Sequence, residues 1–165
     1  MDDYQKYLNK ALRFLSYRSS SEKEVVDYLH KKQAPQEITA QIMAFLCERR
    51  FVNDEEFARG WIEQRLRVNA KAMRVIEMEL KQKGVAPDVI AQAISNFKFQ
   101  ISNSPEEQSE GVDLETAKKL VAKKIDRYRH LPKQELYQKL GGFLARKGFD
   151  WETIKKAIDS EVKNE

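Results

Sequence analysis

The chain has 165 residues, 41% hydrophobic and 34% charged, with a formal net charge of +4. Typical globular domains are ~45–50% apolar and ~25% charged, so this is a highly charged chain, and no apolar run approaches the ~18 residues of a membrane span. One cysteine, Cys47, excludes an internal disulfide, and two distant histidines, His30 and His130, offer no metal-ligand spacing.

Six Gly and four Pro leave few breakers, which suits helices joined by short turns. Tyr4, Tyr7, Leu8, Ala11, Leu12 and Leu15 fall at helical spacing and form one apolar stripe. SYRSSS interrupts it. Ser21 with Glu24 is a capping box, opening a second helix whose inner face is Val25, Val26 and Leu29. Pro35 suits the first turn of a third helix, with Ile38, Ile42, Phe45 and Leu46 inside. Cys47 lies in that apolar run and is read as a buried structural thiol, which fits a reducing, cytoplasmic setting.

RRFVNDEEFA (49–58) then ends one helix and starts another. Arg49 and Arg50 suit the negative end of the preceding helix, Asn53 is the N-cap, and Glu56 can bond back to it. Val52 and Phe57 occupy the positions of a hydrophobic staple. The three-helix pattern now recurs. Phe57, Ala58, Trp61, Ile62 and Leu66 make a first helix; Met73, Ile76 and Leu80 a second; Val89, Ile90, Ala93, Ile94 and Phe97 a third. Lys83-Gly84 stops the second of these with a C′ glycine, and Pro87 begins the third.

After an acidic insert, SNSPEEQSEG, the pattern appears once more. Ala117, Leu120, Val121, Ile125 and Tyr128 form one stripe; Leu136, Leu140, Phe143 and Leu144 the next; Ile154, Ile158 and Val162 the last. Lys147-Gly148 repeats the Lys-Gly stop. Leu29, Leu80 and Leu144 each stand four residues before the turns at Gln33, Gly84 and Gly148, one shared register. The expectation is an all-α chain, a tandem array of three three-helix repeats in which neighbours bury a shared interface. The expected boundaries are 1–52 for the first repeat, 53–101 for the second, 102–112 for an acidic linker and 113–165 for the third.

Catalysis finds no support in the motifs: there is no Gly-rich phosphate loop, no nucleophile elbow and no metal-ligand spacing. No cofactor is expected. Charge is more informative. Residues 117–148 contain ten Lys/Arg against two Asp/Glu, a net +8, whereas residues 101–116 carry five acidic residues and no basic one. Lys119, Lys123 and Arg127 lie along one flank of a helical stripe, with Lys124 adjoining, a one-sided ridge suited to a phosphate backbone or an acidic protein groove. A second group, Arg65, Arg67, Lys71 and Arg74, spans the end of one helix and the start of the next and could continue the same face. Nothing in the sequence points to base readout. Trp61 and Trp151 are read as packing residues rather than base-stacking platforms.

ALRFLSYRSSSEKEV (11–25), RRFVNDEEFARGWIEQR (49–65) and ELKQKGV (79–85) resemble the RecX regulatory proteins, bacterial modulators of the RecA recombinase, and LARKGFDWETIKKAI (144–158) is a looser match. The resemblance runs from about residue 8 to residue 160. It departs at Gln33, which stands where the family usually has Gly, so a different first turn is expected. It departs again at Asn69-Ala70-Lys71, which replaces a commonly Gly-containing loop. What the resemblance implies is an elongated, curved array lying in the groove of the RecA–DNA filament and restraining filament assembly, ATPase and strand exchange, without enzymatic activity of its own. The contact residues expected from the charge pattern are Arg65, Arg67, Lys71, Arg74, Lys119, Lys123, Lys124 and Arg127. Expected partners are the RecA filament and DNA, the latter by phosphate contacts, with no membrane and a monomeric chain. The alternative is a stand-alone helical DNA-binding protein that needs no recombinase.

Overall fold

In a computed structural model the described residues are 2–101 and 107–163, and every regular element among them is helical. The order is α1 (Asp3–Tyr17), α2 (Glu22–Lys31), α3 (Gln36–Glu48), α4 (Asp54–Arg67), α5 (Met73–Gln82), α6 (Pro87–Ile101), α7 (Glu107–Tyr128), α8 (Lys133–Arg146) and α9 (Trp151–Lys163). The first five residues of the expected acidic linker lie outside the described part. α7 is broken at Gly111, whose φ of 75° and ψ of 162° are non-helical, so the helix that carries the basic ridge starts anew after that residue.

The chain forms two compact units. One comprises Met1–Trp61 with Glu79–Ala93, the other Ile62–Met78 with Ile94–Glu165. Helices α4, α5 and α6 each contribute to both.

In the first unit α1, α2 and α3 pack on one another because each offers a single apolar stripe. Ala11, Val25, Leu29, Ile42 and Leu46 are fully buried at the centre. The capping box at Ser21 is complete, with Glu24 N donating to the Ser21 hydroxyl and Ser21 N to the Glu24 carboxylate. Asn53 accepts from Glu56 N at 3.1 Å, and Val52 and Phe57 are both buried. Cys47 is half-buried rather than buried, and burial together with the carboxylates of Glu22 and Asp54 pushes its thiol pKa up. That environment suits an unreactive thiol.

The second unit has α7, α8 and α9 around Val121, Leu140, Leu144, Ala157 and Ile158, with Ala72 joining the same core. Asp150 caps α9 by accepting from Thr153 N and from its hydroxyl. Trp151, expected to pack, instead stands 66% exposed at the first turn of α9, whose inward stripe is Ile154, Ala157 and Ile158.

The shared register holds in the backbone. The carbonyls of Leu29, Leu80 and Leu144 accept from the N–H groups of Ala34, Val85 and Phe149, and all three leucines are fully buried. The expectation of a different first turn is corrected. Gln33 adopts a φ of 63°, in the same left-handed region as Gly84 at 79° and Gly148 at 93°, and its turn has the same pair of hydrogen bonds. Gln33 is exposed, so its side chain meets no obstacle there. The two glycines are held to their identity by close approach as well: a Cβ on Gly84 would lie 2.2 Å from Lys23 Cδ, and one on Gly148 would lie 2.3 Å from Val75 Cγ2.

Those approaches belong to a joint that each unit builds the same way. In the first, the Lys83 carbonyl accepts from the Ser21 hydroxyl at 2.6 Å, and Asp54 accepts from Glu22 N at 2.9 Å. In the second, the Lys147 carbonyl accepts from Ala72 N at 3.0 Å, and Asp113 accepts from Met73 N at 2.8 Å. In both, a Lys-Gly turn accepts from the residue just before another helix, Ser21 through its hydroxyl and Ala72 through its N–H, and an acidic helix start accepts the N–H of that helix's first residue.

Candidate nucleic-acid interface

All eight cations singled out in the sequence fall in the second unit, though they do different work there. Arg67 at the end of α4 and Lys119 and Lys123 on α7 line one cavity of about 510 Å³. The same cavity is lined by Leu66, Val68, Phe97 and Leu120, so cationic and apolar side chains share it. Lys119 and Lys123 are exposed, as their positions opposite buried Ala117 and Val121 require. Glu115 also reaches the cavity but is paired with Lys118 at 3.3 Å.

Lys147 is a fourth cation on this cavity and is not among the contact residues expected from the charge pattern. Its ammonium donates to Asn69 Oδ1 at 2.7 Å, which ties the α4–α5 loop to the α8–α9 turn. It also lies 5.6 Å from the centre of the Phe143 ring, the ring over which Lys124 sits at 4.3 Å. Burial, and then the positive charges of Lys71 and Lys124, hold the Lys147 pKa below the ordinary lysine value. Lys71 and Lys124 are therefore near neighbours of Lys147, and the clustered cations make a positive field suited to an anion. Asn69, in the segment that departs from the family pattern, is what fixes the direction of Lys147.

The remaining three residues stand apart from the cavity lining. Arg74 gives its Nε–H to the Gly148 carbonyl, a backbone fastening within the joint. Arg127 is exposed, with its guanidinium 6.0 Å from the Tyr128 ring centre. Arg65 is half-buried on α4. In sequence Lys147 is marked by the Lys-Gly stop and by its place in the basic stretch 117–148, and its counterpart Lys83 shows why the first signal is ambiguous. Lys83 lies 2.7 Å from the Glu24 carboxylate and 4.4 Å from the Trp61 ring centre, a structural use of the same position. Trp61 itself is half-buried and donates from Nε1 to Glu79 at 3.0 Å, as a packing residue should.

Among the described residues no cluster of His, Cys, Asp and Glu could hold a metal ion, and no helix is long and apolar enough to cross a membrane.

Comparison with known proteins agrees with this architecture. Residues 8–46, 53–94 and 112–158 match the first, second and third three-helix domains of RecX. The chain is 39% identical over 161 residues to the regulatory protein RecX of a Geobacillus species, covering 97% of this chain and 55% of that protein. It is 34% identical over 165 residues to the RecX of Bacillus velezensis, covering 99% of this chain and 59% of that one. The chain thus spans a little over half the length of these curated relatives. Among solved structures, the fold resembles the crystal structure of RecX from Lactobacillus salivarius, with a TM-score of 0.77, 24% identity and 96% of both chains covered. A second structure, of a regulatory protein RecX, superposes with a TM-score of 0.73 at 28% identity, covering 96% of this chain and 74% of that one. With three three-helix domains matched in order and relatives at this identity along nearly its whole length, the chain belongs to the RecX family of regulatory proteins.

Proposed function

We propose that this protein is a regulator of the RecA recombinase that binds the RecA–DNA filament, makes phosphate contacts to its DNA through the basic face of the second unit, and inhibits recombinase activity. Family membership supports the class of function, since the relatives are named as regulatory proteins rather than enzymes. The observation that carries the interface is the convergence of Arg67, Lys119, Lys123 and Lys147 on one cavity, with Lys71 and Lys124 beside it. Such a field draws in polyanions and releases their counterions, so binding should weaken steeply with salt. In this reading the protein acts as a monomer in the cytoplasm and has no cofactor.

The test is DNA-stimulated ATP hydrolysis by the cognate recombinase, measured as this protein is titrated in. Inhibition that saturates, and that is relieved by charge reversal at Lys119 and Lys123, is the expected result. Unchanged hydrolysis at saturating protein would sink the proposal. The same cationic cavity also favours the alternative of a stand-alone DNA-binding protein. Retention on bare DNA as tight as on the assembled filament would favour that reading instead.

A further inference from the structure

We infer that the cavity of the second unit takes an unpaired base of single-stranded DNA together with its flanking phosphates, so that this face distinguishes single strands from duplex. The inference rests on the DNA-contact part of the function proposed above and adds a binding mode to it.

A surface built only to meet a duplex backbone needs cations and hydrogen-bond donors, as phosphates are all it touches. Here the cations surround an apolar lining: Leu66, Val68, Phe97 and Leu120 face the same space as Arg67, Lys119 and Lys123. Val68 is 72% exposed beside Leu66, Phe97 and Leu120, so the cavity offers contiguous apolar surface rather than one isolated side chain. In a duplex the base faces are stacked and inaccessible, so this apolar lining would remain empty. A single strand can turn a base out of line, and the π-face of any base suits an aromatic and aliphatic surface without regard to sequence. The cavity's volume of about 510 Å³ is of the size that holds one compact organic group. It is too small for the row of side chains that an acidic amphipathic helix would insert.

The arrangement of charge favours a polymer over a free nucleotide. Lys119 and Lys123 are one helical turn apart, and Arg127 continues the series at the same spacing, so cations recur every ~6 Å along α7. Lys71 and Lys124 stand close enough to Lys147 to add to the same field. A mononucleotide would satisfy one end of that series only. Lys147, held by Asn69 and the Phe143 ring, is positioned to meet a phosphate with little rotamer freedom left to lose.

The test uses the full chain without recombinase and three labelled probes of equal length: an oligodeoxythymidylate, the same backbone lacking bases, and a blunt duplex. The thymidylate strand should bind roughly tenfold more tightly than the baseless strand, as stacking of a single base implies. Val68→Ser, at an exposed position that folding does not depend on, and Phe97→Ala should both narrow that ratio while leaving the salt slope unchanged. Lys119→Gln should weaken both single strands alike and reduce the slope of log affinity against log salt by about 0.7. Equal affinity for the thymidylate and baseless strands would overturn the inference. So would duplex binding as tight as single-strand binding, thymidine monophosphate binding as tightly as the strand, or displacement by oligoglutamate as effective as by unlabelled strand. If the recombinase is inhibited but bases make no difference, this inference alone fails. If hydrolysis is untouched, the regulatory reading fails, whatever the strand preference.

Discussion

Gln33, Gly84 and Gly148 share one left-handed backbone, but only the glycines are free of its steric cost. An L residue there costs about 1–2 kcal/mol, and a glycine returns part of that advantage as unfolded-chain entropy. Gln33→Gly should therefore raise stability by up to about 1 kcal/mol, read as a higher urea midpoint at unchanged m. Gly148→Ala should lower it by roughly 2–4 kcal/mol, since strain adds to the collision with Val75 Cγ2. Glu24 yields a pH prediction. Burial works against its charged form, but hydrogen bonds from Arg18, Lys83 and the Ser21 backbone outweigh it and hold the carboxyl below its ordinary value. A depressed folded pKa gives stability that is fully present above the unfolded value of about 4.3 and is lost as pH falls through the folded one. Glu24→Gln keeps a side chain able to cap but removes the charge. Melting temperatures of variant and parent should differ at neutral pH and converge as pH falls below about 4; a gap that persists at low pH would contradict this account.

At the scale of elements, the starts of α2 and α5 each give a backbone N–H to a carboxylate from another helix, and α2 has its own Ser21 cap as well. Asp54 and Asp113 look in sequence like ordinary first-turn acids that complement their own helix dipole. Each is in fact spent on a backbone N–H elsewhere, Asp54 on Glu22 and Asp113 on Met73. Burial raises both of their pKa values, the bonded N–H notwithstanding. Asp113→Ala should cost about 0.5–2 kcal/mol, the scale of a lost cap, with the loss appearing as faster amide exchange at the start of α5. Local features of this kind divide cleanly by legibility. The caps at Ser21 and Asn53, the Lys-Gly stops and the apolar stripes are written within a few neighbouring residues, and the sequence displays them. The cross-helix use of Asp113, the backbone fastening by Arg74 and the turning of Lys147 into the basic cavity depend on contacts some 40 to 78 residues apart in the chain. No local pattern encodes those. Lys119 and Lys123 stand out in the sequence because 117–148 carries +8 over 32 residues, whereas their meeting with Arg67 on one cavity depends on the fold.

For the molecule as a whole, the sequence repeat and the folded unit are different divisions. The second three-helix group matches a family domain over residues 53–94, yet its helices are apportioned between two compact units, with Trp61 and Leu80 in one and Ile62 and Ile76 in the other. Repeat arrays behave this way because a single repeat cannot cover its own apolar faces. An isolated 53–94 fragment should show little helical circular dichroism and no cooperative melt, whereas the whole chain should melt cooperatively. A well-folded fragment would mean that each repeat is self-sufficient.

The joint described above has a consequence for how such arrays diversify. In both units a lysine carbonyl and an aspartate carboxylate fasten the start of another helix, with the Ser21 hydroxyl as donor to the carbonyl in one and the Ala72 N–H in the other. The lysine beside each hook is then a free variable. Where Glu24 stands opposite, Lys83 is neutralised and serves as mortar. In the register that puts Leu80 in place of Leu29, Val75 takes the place of Glu24, and Lys147 turns instead to Asn69 and the Phe143 ring at the cavity. One side chain per joint is therefore put to a different use, Lys83 against a carboxylate and Lys147 on the basic cavity. The partner of this lysine can thus change from one repeat to the next while the fastening beside it is left alone.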